Sequence, residues 1–288
     1  MLLGRSRELQ LIGDFLARTA DSGAQLLLVG EPGLGKTALL NETAELAAAS
    51  GIQILRAGGV ELEADLVFAG LNQALLPLAD NFDKLAGDYS TVLATVLGLR
   101  PGHLPDRFTI GNAVLGLLRR ASQDSPAVLI VDDLQWLDRL SDQVLSFVGR
   151  RAGGSRVGLI VAARPGGRAT LYGASWPTHV LAPLDEAAAQ QLLQSRFPTL
   201  APGVRRRLQA EAAGNPLALL ELPAALSEWQ RQALQALPLV LPLSPRLETL
   251  FDPRVAALPA ATRHLLLLAV LDGTGTSASC SRRLATRS

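Results

Sequence analysis

Cysteine occurs once in the 288 residues, at Cys280, so neither an internal disulfide framework nor a cysteine zinc site can be built from this chain. The three histidines, His103, His179 and His264, are scattered without metal-ligand spacing and read as structural. Bases and acids nearly cancel, 27 against 26, which leaves no global electrostatic case for nucleic acid or an anionic membrane. Long hydrophobic runs are missing too. The most apolar stretches, 127–131, 157–163 and 265–271, are too short to span a bilayer, and Met1-Leu2-Leu3-Gly4-Arg5 does not resemble a signal peptide. The expectation is a soluble cytoplasmic protein with no membrane partner.

Lysine is nearly absent. Only Lys36 and Lys84 occur, and Lys36 sits in Gly30-Glu31-Pro32-Gly33-Leu34-Gly35-Lys36-Thr37. The apolar run Gln25-Leu26-Leu27-Leu28-Val29 precedes this stretch and Ala38-Leu39-Leu40 follows it, giving strand, glycine loop and helix. That is the context required by the phosphate-binding pattern G-x-x-x-x-G-K-[ST]. Its glycines let backbone N–H groups turn inward around a phosphate, and the helix N-terminus adds its positive dipole end. Residues 30–38, from Gly30 to Ala38, are therefore the candidate nucleotide cradle. Lys36 would reach the β and γ phosphates, and the Thr37 hydroxyl would help hold Mg²⁺.

Before the loop, residues 5–18 read as a helix with Leu9, Ile12 and Leu16 on one face. Gly4-Arg5 either helps hold a base or is only a surface helix start. A helix over 37–49 and a strand over 52–56 follow the loop. Residues 60–125 read as helices covering the sheet, the last one capped near Pro105-Asp106. Buried strands are expected at 127–131 and 157–163, with a short one at 179–181 and a helix at 141–150 capped by Ser141. Uniformly apolar strands alternating with helices indicate an α/β fold with a parallel sheet covered on both faces. From Leu184 the pattern is all-helical, with helices near 185–193, 203–213 and 216–225. Arg205-Arg206-Arg207 reads as a solvated helix face. From Gly273 the chain is small, polar and basic, and disorder is expected there.

The strand at 127–131 runs into Asp132-Asp133, which places carboxylates where an open sheet binds ligands. Asp132 is the candidate metal-side carboxylate and Asp133 the candidate water-orienting base, with slow hydrolysis expected because aspartate is shorter than glutamate. Arg164, at the end of the next strand, could sense the γ phosphate or pair structurally with either acid. Trp136 reads as core rather than as a base-stacking group. The guanine signature Asn-Lys-x-Asp is missing, which tilts the base choice toward adenine.

With these residues assembled, the chain resembles the ATPase module of the large ATP-binding regulators of the LuxR type. These fall within the signal-transducing STAND class of P-loop NTPases and are related to MalT. The resemblance is carried by Gly4-Arg5 with Glu8-Leu9, the loop G-E-P-G-L-G-K-T, and Phe68-Ala69-Gly70-Leu71. It continues in Val131-Asp132-Asp133-Leu134-Gln135-Trp136-Leu137-Asp138 and Gly214-Asn215-Pro216-Leu217-Ala218-Leu219. It implies a five-stranded parallel P-loop sheet of the AAA/STAND kind over 1–183 and a helical lid over 184–245. The start of a winged-helix element would occupy 246–272, leaving the tail at 273–288. It also implies ATP or ADP with Mg²⁺ as ligands, Pro216 near the adenine or ribose, and switching between an ADP-bound resting form and a self-associating ATP-bound form. Such regulators usually continue into helical repeats and a DNA-binding domain. The composition break at Gly273 therefore raises the expectation of a truncated regulator that does not itself bind DNA. Two rival readings remain: a non-catalytic interaction fragment, and a DNA-handling ATPase of the origin-recognition type.

Overall fold

The computed structural model describes residues 2–166, 176–256 and 258–272. The tail expected from Gly273 onward, and Cys280 with it, lie outside the described residues. By packing, the chain divides into two compact units, one of Met1–Leu192 with Ala213–Pro216, the other of Leu193–Ala212 with Leu217–Ser288.

The first unit is built on five parallel strands: β1 (Ala24–Val29), β2 (Gln53–Gly58), β3 (Ala127–Asp132), β4 (Val157–Ala163) and β5 (Thr178–Val180). Their order across the sheet is β2-β3-β4-β1-β5. The register sets Leu26 beside Ile160 and Leu129 beside Leu159. Uniformly apolar strands make sense here because successive side chains enter two different cores. Leu27, Val29, Leu129, Val131, Leu159 and Val161 face one core; Leu26, Leu28, Val128, Ile130, Ile160 and Ala162 face the other.

Helices α1 (Ser6–Asp21) and α2 (Lys36–Ala49) cover the second of these faces through Ile12, Phe15, Leu39 and Leu40. The opposite face carries α3 (Ala69–Leu75), a long 3-10 segment (Leu76–Lys84), α4 (Tyr89–Val96), α5 (Arg107–Ala121) and α6 (Arg139–Arg151). Asp106 caps α5, accepting from the Phe108 and Thr109 amides, as its place before the apolar stripe suggests. The helix expected at 141–150 begins earlier. Its cap is Asp138, which accepts from the Ser141 amide at 2.9 Å, and Ser141 lies inside the first turn. The capping pattern is satisfied equally well three residues upstream, and the further amides of Phe68 and Gly70 that donate to Asp138 favour it.

Helix α7 (Glu186–Arg196) leads out of the first unit. In the second unit lie α8 (Pro202–Ala212), most of α9 (Pro216–Ala224), α10 (Glu228–Arg231), α11 (Pro245–Ala256) and α12 (Ala260–Asp272). Within it, Ser227 and Gln230 form a capping box on α10, and the Ala201 amide donates to the Arg231 carbonyl. Arg206 is exposed, and Arg207 pairs with Glu211 and donates to the Leu239 carbonyl, in keeping with a solvated helix face. Among the described residues, no helix is long and apolar enough to cross a membrane.

Candidate nucleotide site

Three strand ends converge at one edge of the sheet. Because β4 lies between β1 and β3, Arg164 at the end of β4 stands between the loop after β1 and the acids after β3. This edge, outside the carboxyl ends of parallel strands, is where open α/β sheets bind ligands.

The loop turns through Gly33 and Gly35, at φ +83° and +91°, into the N-terminus of α2. Lys36, only 7% exposed, folds back so that its Nζ donates to the Gly30 carbonyl at 2.7 Å and the Glu31 carbonyl at 3.1 Å. Burial pulls its pKa below the ordinary lysine value. Asp133 opposes that pull, Arg164 adds to it, and Asp132 and Glu31 oppose it. Thr37, next in the chain, brings its hydroxyl beside the Asp132 carboxylate. Burial raises the Asp132 pKa above the usual carboxylate value; the Thr37 hydroxyl works against that, and the Asp133 charge works with it.

Asp133 is a non-glycine residue at φ +46°, a backbone state that costs energy and marks a shaped turn. Its amide donates to Asp132 Oδ1 at 2.8 Å, and its own Oδ1 accepts from Gln135 Nε2 at 2.6 Å. Gln135 Oε1 in turn accepts from the Arg164 amide at 3.2 Å, so one side chain ties β3's second acid to the end of β4. The Arg164 guanidinium lies 5.9 Å from the Trp136 ring centre, and Trp136 is half-buried.

Arg5 is not a surface helix start. It is 5% exposed and donates to Glu8 Oε1 at 3.0 Å, to the Ala182 carbonyl at 3.0 Å and to the Leu34 carbonyl at 2.9 Å. Glu8 also meets His179 Nε2 at 3.4 Å. Burial alone would raise the Glu8 pKa; its backbone hydrogen bond, the Arg5 charge and the Arg5 and His179 contacts together hold it below the ordinary value. The turn at 213–216 also belongs to this unit, and Asn215 Nδ2 donates to the Pro32 carbonyl at 3.0 Å. Pro216 follows at the start of α9.

Sequence reasoning assigned no role to Gln135, Asp138 or Asn215. Asp138 accepts from the Phe68, Gly70 and Ser141 amides at 3.1, 3.0 and 2.9 Å, joining the starts of α3 and α6 beneath the acidic turn. The spacing of Asp138 before Ser141 could have revealed a cap, and Gly33, a glycine the phosphate pattern does not demand, hints at a close neighbour. Nothing in the spacing reveals Gln135.

A cation fits this edge. Among the described residues no group of three or more His, Cys, Asp or Glu could hold a metal. The chain would therefore offer Thr37 and Asp132, with phosphate and water oxygens completing the shell. A desolvated carboxylate beside a hydroxyl suits that role.

The family description "AAA ATPase domain" matches residues 1–161, more than half of the chain. The chain belongs to the AAA ATPase domain family. An uncharacterised protein of Rhizobium meliloti is 24% identical over an alignment covering 77% of this chain and 24% of that protein. The AAA domain chain thus spans about a quarter of that relative's length. Among solved structures, Cdc6p of Pyrobaculum aerophilum aligns with a TM-score of 0.55 at 15% identity, over 82% of this chain and 64% of that one. The Drosophila ORC structure bound to DNA gives 0.55 at 15%, over 92% and 64%. A STAND protein with a tetratricopeptide-repeat sensor from Pyrococcus horikoshii gives 0.50 at 18%, over 94% and 34%. At these identities the likeness is one of fold, and it extends across STAND and Cdc6/ORC ATPases alike.

Proposed function

We propose that this AAA domain is an ATP/ADP-binding switch that hydrolyses ATP slowly with Mg²⁺. It would serve as the nucleotide module of a signal-responsive transcriptional regulator of the large LuxR type. The observation that carries the nucleotide reading is the glycine loop that turns into the N-terminus of α2 with the buried Lys36 folded back onto the Gly30 and Glu31 carbonyls, beside the Asp132 strand end. It is the arrangement expected of a site waiting for a phosphate-bound cation.

In this reading the backbone of residues 30–38 cradles the phosphates and Lys36 leaves the Gly30 and Glu31 carbonyls to meet them. Thr37 and Asp132 hold Mg²⁺, which neutralises developing phosphate charge when bound. Asp133, held by Gln135, orients the attacking water, and Arg164 senses the γ phosphate. Arg5 supports the cradle through the Leu34 carbonyl, and Pro216 approaches the adenine or ribose. The regulator reading further assigns 184–245 as a lid, 246–272 as the start of a winged-helix element, and self-association to the ATP-bound form. It rests on the ordered motifs quoted above. Direct DNA binding by these residues is not part of it, and the net charge of +1 supports that.

Single-turnover hydrolysis of ATP tests the reading. The expected result is slow, Mg-dependent phosphate release that Asp133→Asn abolishes while ATP still binds. A chain that binds ATP but never releases phosphate would leave a binding module without catalysis. The DNA-handling alternative would show itself as salt-dependent DNA affinity.

A further inference from the structure

Four main-chain carbonyls of the loop accept from side chains. Lys36 serves Gly30 and Glu31, Asn215 serves Pro32, and Arg5 serves Leu34. These donors divide into two kinds. Lys36 must leave its carbonyls when a phosphate arrives, whereas Asn215 and Arg5 donate to the Pro32 and Leu34 carbonyls on the rim of the loop. The rim is thus held by residues more than a hundred positions apart.

The fit of Asn215 is close. A Cβ at position 33 would lie 2.6 Å from Asn215 Oδ1 and 2.9 Å from Nδ2, so the glycine at 33 makes room for this amide as well as permitting φ +83°. The turn that presents Asn215 is itself seated in the first unit. Ala213 and Gly214 both adopt positive φ, at +46° and +75°. The Gly214 carbonyl accepts from the Leu184 amide at 2.8 Å, and a Cβ on Gly214 would come within 2.3 Å of the Leu184 carbonyl. Four residues are thus anchored in the first unit while the chain on both sides, Leu193–Ala212 and Leu217 onward, belongs to the second.

We propose that Asn215 is a positioning residue for the phosphate loop, through which nucleotide occupancy and the seating of the 213–216 turn control each other. This rests on the nucleotide-binding reading above. The physical reason is reciprocity: if the seated turn favours the loop shape that binds phosphate, bound nucleotide must favour the seated turn by the same factor. Whatever force the second unit exerts on its two connections to the turn is then registered as a change in nucleotide affinity. Asn215 provides regulation at a site whose chemistry is done by others.

The test uses the full chain, Mg-ADP as probe, and the variants Asn215→Ala and Asn215→Asp; the second keeps the size of the side chain and removes its N–H donor. Affinity is read by calorimetry, and hydrogen exchange is followed in peptides covering the loop and residues 213–222. In the wild type, ADP should slow exchange in both regions. In both variants, at saturating ADP, the loop should remain protected while 213–222 loses its protection, and affinity should fall roughly 3- to 10-fold, the size of one neutral hydrogen bond. Retained protection of 213–222 in both variants, whatever their affinity, overturns the proposal. Failure of ADP to protect the wild-type loop would overturn the nucleotide reading itself, and this inference with it.

Discussion

The Thr37 side chain meets that of Asp132, which brings the first turn of α2 to the end of β3 across the intervening strand β4. The two residues are almost a hundred positions apart, and their meeting turns a glycine loop and an acidic strand end into one site. Burial makes that meeting costly for the charged acid. With its pKa raised, folded Asp132 binds a proton more readily than unfolded Asp132, so the empty chain gains stability as pH falls through the raised value. Above it, the ionised group is a burden. Asp132→Asn should therefore raise the melting temperature of the ligand-free chain at neutral pH, with the advantage shrinking toward acid. The same variant should lose the Mg-dependent part of nucleotide affinity, about 10-fold or more, since a charged partner is worth roughly 1.5–3 kcal/mol. Melting curves across pH and titrations with and without chelator check both halves.

Glu8 carries the opposite sign. Its pKa is held below the ordinary value, so its contribution to stability is complete above the usual carboxylate range and is lost as pH falls through the lowered value. Glu8→Gln should destabilise the chain by about 2 kcal/mol at neutral pH, less than a lone buried charge would cost because Arg5 keeps two carbonyls. Urea unfolding of the pair across pH should show the gap closing in acid.

Gly33 and Asn215 should be coupled. Gly33→Ala brings left-handed strain of about 1–2 kcal/mol plus a collision with the Asn215 amide. In an Asn215→Ala background the collision disappears and only the strain remains. A double-mutant cycle on unfolding free energy should return a coupling of about 1 kcal/mol.

Gln135→Ala should slow hydrolysis with little change in ATP affinity. Its side chain holds Asp133 and the Arg164 backbone amide and touches neither the loop at 30–38 nor the Arg164 guanidinium. Steady-state turnover beside equilibrium binding separates the two effects.

Much of the first unit was legible because its signals are local. The apolar runs of β1, β3 and β4, the Asp106 cap and the glycine loop each announce themselves within a few residues, and β5 was placed within one residue. The order β2-β3-β4-β1-β5 was not written in any stretch, because pairing depends on which strands the crossover helices bring together. The same limit hid Arg5. A composition argument cannot distinguish an exposed helix start from a guanidinium that reaches Leu34 and Ala182, since the partners are backbone carbonyls with no identity in the sequence. Asp138 is not recognisable as the cap for a related reason: the three amides that gather on it come from the starts of α3 and α6, and only tertiary packing brings α3 there.

Calorimetric titration of the purified chain with Mg-ATP and with ADP, beside Lys36→Ala, tests the central claim most directly. Lys36 is the buried cation of the loop, and its removal should cost nucleotide affinity without unfolding the sheet. The expected result is micromolar or tighter binding of both nucleotides, lost in Lys36→Ala while its melting temperature stays near that of the wild type. A folded, monodisperse chain that takes up neither nucleotide, or one whose Lys36→Ala variant binds as tightly, would contradict the assignment of this edge of the sheet as a nucleotide site.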